Sequence, residues 1–190
     1  MAQVRPAGEA TASTMADVVI IGAGAAGLCA ALAARDAGAS VIVLERDAAP
    51  SGNTALTLGM LPGAGTRFQR EKGIADSPEL FLADILKKAK GRTDEALARA
   101  VTAASGRAVE WLADSHGLGF ELLDDILYPG HSRHRYHVPK SRTGTEMEED
   151  LLAAARKAGA TLITSATVET LYADADRRVT AVGYRDADGA

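Results

Sequence analysis

The chain has 190 residues, enough for one or two domains with a real core. Its formal net charge of -4 makes nucleic acid a poor partner, and its one cysteine, Cys29, excludes an internal disulfide and a cysteine metal cluster. Alanine and glycine are abundant and aromatics scarce, which suits a layered α/β protein, and no run approaches the roughly 20 apolar residues of a membrane helix, so a soluble cytoplasmic protein is the default.

Residues 1–16 are small, polar and aperiodic, and read as a disordered tail ahead of the first element. The β-branched run Val18–Ile21 predicts a buried parallel strand. A glycine turn follows, and a helix begins near Ala25. Gly22 permits the tight turn, Gly24 admits a pyrophosphate against bare backbone, and Gly27 lets the helix pack closely on the sheet. The N–H groups of Ala25, Ala26 and Gly27 at the helix start can hold phosphate charge. Gly38 closes the helix, and 40–44 forms the second strand. Glu45 then ends that strand, where its carboxylate can accept from a ribose 2′-hydroxyl. An acid there disfavours NADP, an argument that the neighbouring Arg46 weakens. Strand, turn, helix, strand and acid at this spacing define an adenine dinucleotide site, but do not separate NAD from FAD. Ser51, Gly52, Asn53 and Thr54, then Gly59, are small or hydroxyl residues that suit a ribityl chain and flavin ring; an ordinary loop is the alternative.

Ser77 and Pro78 open a helix with apolar Leu80, Phe81, Ile85 and Leu86. A second helix begins near Asp94, with Leu97, Val101, Val109 and Leu112 on its expected buried side and Trp111 as a packing residue. Residues 117–143 read as irregular and polar. Among them His131, His134 and His137 lie between Arg133, Arg135, Lys140 and Arg142. This segment is open to three readings: a solvated basic loop, an anion-recognition surface using Arg135 with His131 and His137, or a histidine metal site. The cations and the lack of an intervening carboxylate count against a metal. An acidic first turn opens a helix at 145–150, closed by Gly159. A third parallel strand is expected at 161–164, and an antiparallel meander at 167–172 and 179–184. Residues 186–189 signal a turn with only Ala190 after it, so the fold is expected to be incomplete.

Several stretches together resemble one flavoprotein family, that of soluble fumarate reductase, the succinate dehydrogenase flavoprotein subunit and the 3-ketosteroid dehydrogenases. They are the glycine turn, the Ser51 to Thr54 segment, Ala64-Gly65-Thr66 with Gln69, Gly73-Ile74-Ala75-Asp76-Ser77-Pro78-Glu79, the Ala108 to Leu112 helix, and Arg135-x-His137-x-Pro139. The resemblance covers nearly everything after residue 16 and implies a Rossmann-like FAD-binding fold with a parallel sheet, an antiparallel meander and an inserted helical segment. It implies an FAD-binding domain from 17–76 and 140–190, and a helical, irregular segment at 77–139. It assigns Gly22, Gly24 and Gly27 to the pyrophosphate, Glu45 to the ribose, Asn53, Thr54 and Gly59 to the flavin side, and Val168 to the adenine. Members with covalent flavin carry a histidine before the small-residue segment, and this chain has none there, so non-covalent FAD is implied.

The expected function is that of the amino-terminal part of an oxidoreductase moving a hydride between FAD and a carbon–carbon bond beside a carbonyl or carboxylate. A small unsaturated carboxylate is the expected substrate. The catalytic acid or base is not identified, and the chain alone is expected to be inactive. The alternatives are a non-catalytic nucleotide- or partner-binding domain completed by another polypeptide, and an NAD-dependent dehydrogenase domain.

Overall fold

A computed structural model describes residues 3–11 and 14–187. In chain order the elements are β1 (Gln3–Pro6), a 3-10 turn at Ala7–Glu9, β2 (Val18–Ile21), α1 (Ala25–Asp36), β3 (Val41–Leu44), β4 (Leu61–Pro62), α2 (Arg67–Glu71), α3 (Pro78–Ala89), α4 (Glu95–Asp114), β5 (Glu121–Leu122), β6 (Tyr136–Val138), α5 (Gly144–Lys157), β7 (Thr161–Ile163), β8 (Thr167–Ala173) and β9 (Val179–Arg185). They form two units: Met1–Leu56 with Glu148–Ala190, and Thr57–Met147.

In the first unit β2, β3 and β7 make a parallel sheet in that order. Val18 pairs with Val41, and Leu44 pairs with both Ile21 and Ile163. All four residues of β3 are buried, as a central strand covered on both faces requires. Helix α1 crosses between β2 and β3 and buries Leu28, Ala31 and Leu32. It ends on Ala37, with Gly38 left-handed just beyond. Strands β8 and β9 form the expected antiparallel pair, with irregularities at Val168/Thr170 and Tyr172/Ala173. Ile42, Leu44 and Ala166 form a small core joined by Ile163, Val168 and Val182.

The expected tail is not structureless. Gln3–Pro6 pairs parallel with β8, from Gln3 opposite Thr170 to Pro6 opposite Ala173. All four residues are exposed, so main-chain hydrogen bonds hold this edge strand and no apolar pattern announces it.

In the second unit the loop reading of 117–143 gives way to a small antiparallel sheet, β4-β6-β5. Leu61 pairs with His137, and Glu121 with Val138. These pairings, with the Thr66–His137 and Asp76–Arg135 contacts, place 57–76 in this unit. The two compact units divide at 56/57 and 147/148. The helix starts form as their caps dictate. Ser77 accepts from the Leu80 N–H, Asp94 from the Leu97 N–H, and Thr66 with Gln69 makes a reciprocal capping box.

One helix face is corrected. Val109 and Leu112 are buried as expected, but Leu97 and Val101 are exposed, and Ala98, Thr102, Ser105 and Gly106 take the buried side in their place. Leu80 of α3 is exposed too, whereas Phe81 and Leu82 are buried. Small residues occupy the α4 contact because backbone comes close: a Cβ at Gly106 would lie 2.2 Å from the Ala64 carbonyl oxygen. Ser105 Oγ accepts the Ala64 N–H at 3.2 Å in the same place. Gly106→Val is expected to destabilise the chain by about 3 kcal/mol or more through overpacking against rigid backbone, measured by urea unfolding.

Candidate functional site

The glycine turn lies at the carboxyl end of β2, where the Gly22 N–H donates to the Leu44 carbonyl at 2.8 Å. Gly22 has φ of +98°, a conformation that favours glycine. A Cβ at Gly27 would sit 2.0 Å from the Gly22 carbonyl oxygen, so only glycine allows α1 to close on the turn. Gly24 is the N-cap of α1 and offers no side-chain cap. Its neighbour across the turn is Thr54, whose Oγ1 accepts the Ala25 N–H at 3.0 Å. The start of α1, including Ala26, thus presents backbone N–H groups and the positive end of the helix dipole.

Glu45 follows the last residue of β3 and holds the turn from the side. Its Oε2 accepts the Ala23 N–H at 2.7 Å, and its Oε1 accepts the Asp47 N–H at 2.9 Å. Its own N–H donates to the Ile163 carbonyl, and its carbonyl accepts from Ala166. The acid is therefore fixed at the carboxyl end of the parallel sheet, where ligands of such sheets bind. Arg46 is exposed and pairs with Asp47 at 3.3 Å. Ser51, Gly52 and Asn53 are exposed beyond it. The turn, α1, Glu45 and Thr54 form one cluster, and it fits a dinucleotide: bare backbone for the diphosphate and a carboxylate for a sugar hydroxyl.

Gly59 belongs to the second unit, with φ of +64°, where a Cβ would lie 2.6 Å from the Thr143 carbonyl oxygen. Val168 packs on the Ile42, Leu44 and Ala166 core.

The expected anion residues are corrected by their surroundings. Arg135 is fully buried. Its Nε and Nη2 donate to the two oxygens of Asp76 at 2.7 and 2.9 Å, and its Nη1 donates to Asp84 Oδ2 at 2.5 Å. All three guanidinium nitrogens serve the fold, and none presents to a ligand. His137 is also fully buried, with Nδ1 3.3 Å from the Leu61 carbonyl and Nε2 2.9 Å from Thr66 Oγ1. The carbonyl can only accept, so Nδ1 carries the proton and Nε2 accepts from the threonine. Burial pushes the His137 pKa down to about 4, against weaker opposing hydrogen bonds from Leu61 and Arg135. His131 is partly buried beside Tyr136, with its Nε2 3.1 Å from the phenol oxygen, and burial lowers its pKa as well. Among the described residues no group of three or more His, Cys, Asp or Glu side chains is placed to hold a metal. The Asp76 and Asp84 partners of Arg135 were not signalled by the sequence, since they stand 59 and 51 residues away.

A parallel sheet, a glycine turn bare of side chains and an acid at the next strand's end define an adenine-dinucleotide-binding domain. The chain belongs to the family described as FAD binding domain, whose profile matches residues 17–189. It is 37% identical over 162 residues to NADH:fumarate oxidoreductase of Klebsiella pneumoniae (strain 342), covering 84% of this chain and 17% of that protein. The open conformation of a flavocytochrome c3 fumarate reductase superposes with a TM-score of 0.82 at 30% identity, over 94% of this chain and 33% of that one. The 3-ketosteroid-Δ4-(5α)-dehydrogenase of Rhodococcus jostii RHA1 superposes at 0.83 with 28% identity, over 99% and 45%. The chain thus spans about a fifth of the length of the first curated relatives it matches. Its cofactor is FAD.

Two outcomes are expected. Glu45→Ala, which removes a charged acceptor beside the turn, weakens FAD binding by roughly 10- to 100-fold in a fluorescence titration. The unfolded histidine binds a proton near pH 6.5, whereas buried His137 stays neutral down to about pH 4. Stability from this residue is full above pH 6.5 and is lost as pH falls towards 4. Between pH 6.5 and 5 the loss is about 1.5 kcal/mol, read as the difference in urea unfolding between the native chain and His137→Gln.

Proposed function

We propose that the chain is the cofactor-holding part of an oxidoreductase that moves a hydride between FAD and a carbon–carbon bond beside a carbonyl or carboxylate. The observation that carries this reading is the Glu45 carboxylate held 2.7 Å from the Ala23 N–H at the mouth of the glycine turn. Similarity to a NADH:fumarate oxidoreductase supports a small unsaturated carboxylate as the substrate class. No helix of the described residues is long and apolar enough to cross a membrane.

FAD supplies the two-electron chemistry, and the protein supplies position and charge. The α1 amino terminus would hold the diphosphate against bare backbone, and Glu45 would accept from a ribose hydroxyl. Thr54 ties the 51–54 segment to the start of α1 through the Ala25 N–H. Arg135 is committed to Asp76 and Asp84, and His137 to Thr66 and Leu61, so neither serves as a proton donor or anion ligand. The catalytic acid and the substrate ligands are then supplied by polypeptide other than the residues described, and this chain alone has little activity.

The test is a visible spectrum of the purified chain, followed by parallel titrations with FAD and NAD. Flavin that co-purifies or binds on addition, in preference to NAD, is the expected result. Binding of NAD without flavin would shift the reading to a nicotinamide-dependent dehydrogenase domain, and binding of neither would remove the cofactor role.

A further inference from the structure

Among the buried side-chain nitrogen and oxygen atoms of the described residues, Oε1 of Glu148 lacks a hydrogen-bond partner. Glu148 is 4% exposed and lies in the second turn of α5, within the first unit. Burial pushes its carboxyl pKa up, the nearby Glu45 carboxylate pushes it further, and the Ala55 N–H acts in the opposite direction. Two acids therefore meet at one corner of the dinucleotide site. Glu45 is satisfied by two backbone N–H groups, and Glu148 is left one partner short.

A buried polar atom without a partner destabilises the protein, and leucine or methionine there would remove the deficit. Such local conflicts are tolerated where a ligand resolves them. The neighbours of Glu148 are both parts of the site: Glu45 at the ribose position, and Ala55 directly after Thr54. We propose that Glu148 is a further FAD-binding residue, whose carboxyl hydrogen-bonds a hydroxyl in the adenosine half of the cofactor beside Glu45. This rests on the assignment of the glycine turn and Glu45 to FAD. Glu45 is occupied by the Ala23 and Asp47 N–H groups, whereas Oε1 of Glu148 is open, so the two carboxyls take different partners on one sugar.

The test is calorimetric titration of FAD into the full chain as native, E148Q and E148L forms, with thermal melting of each before FAD is added. The amide of E148Q keeps a donor and an acceptor, so its affinity stays within about 3-fold of native. E148L is expected to bind FAD about 10-fold more weakly, yet to melt about 2–4 °C higher without it, because the deficit is gone. Opposite signs in the two readouts separate a binding residue from a structural one. Native affinity in E148L, equal weakening in E148Q, or a lower melting temperature in E148L would each overturn the role. A native chain that binds no FAD would overturn the cofactor site itself, and this role with it.

Discussion

The first unit depends on the closeness of a helix to a turn. With no side chain at position 27, α1 starts against the Gly22 carbonyl, 2.0 Å from where a Cβ would be. That contact sets where the helix begins and so where its unpaired N–H groups point. The neighbouring β3 sets the second coordinate, because Leu44 accepts the Gly22 N–H and Glu45 follows one residue later. Ala23 is then held by Glu45 at 2.7 Å. The turn amides and the Glu45 carboxylate are therefore placed by one strand pairing and one helix packing, and neither needs a flexible loop to find its place.

The second unit solves a different problem. Asp76 is fully buried and Asp84 nearly so, and Arg135 answers both. Burial alone would raise the Asp84 pKa, but the Ser132 N–H and the Arg135 guanidinium outweigh it and hold the carboxyl below its ordinary value. Removing one partner of such a set leaves charge stranded in a low-dielectric interior, which costs more than the contact gains when intact. Gln69 joins the same network, donating to Asp76 and to the His134 carbonyl at 2.9 and 2.7 Å. Arg135, one of the cations that give this segment its basic appearance, is an internal brace.

The geometry of the glycine turn was legible because its requirements are local. Gly22, Gly24, Gly27 and Glu45 fall within one strand–helix–strand unit, and each residue type answers a constraint imposed a few residues away. Long-range pairings were not legible. Arg135 reads as a ligand for anions until Asp76 and Asp84 are seen beside it. The buried side of α4 was misread because Ala98, Thr102, Ser105 and Gly106 are chosen for small volume near the Ala64 backbone, which hydrophobic periodicity does not register. β1 escaped notice for a related reason: an edge strand held by main-chain bonds needs no apolar side chains. Glu148 looked like one more acid in a helix's first turns, and only its burial and its proximity to Glu45 distinguish it.

The central claim is that bare backbone between Ile21 and Ala25, closed by Glu45, holds the diphosphate of FAD. Amide hydrogen exchange across residues 21–28, with and without FAD, examines those N–H groups directly. The account predicts that FAD slows exchange at Ala23 to Gly27 while the β8–β9 hairpin stays unchanged. Unaltered exchange through the turn, in a chain shown by its spectrum to carry the flavin, would contradict it.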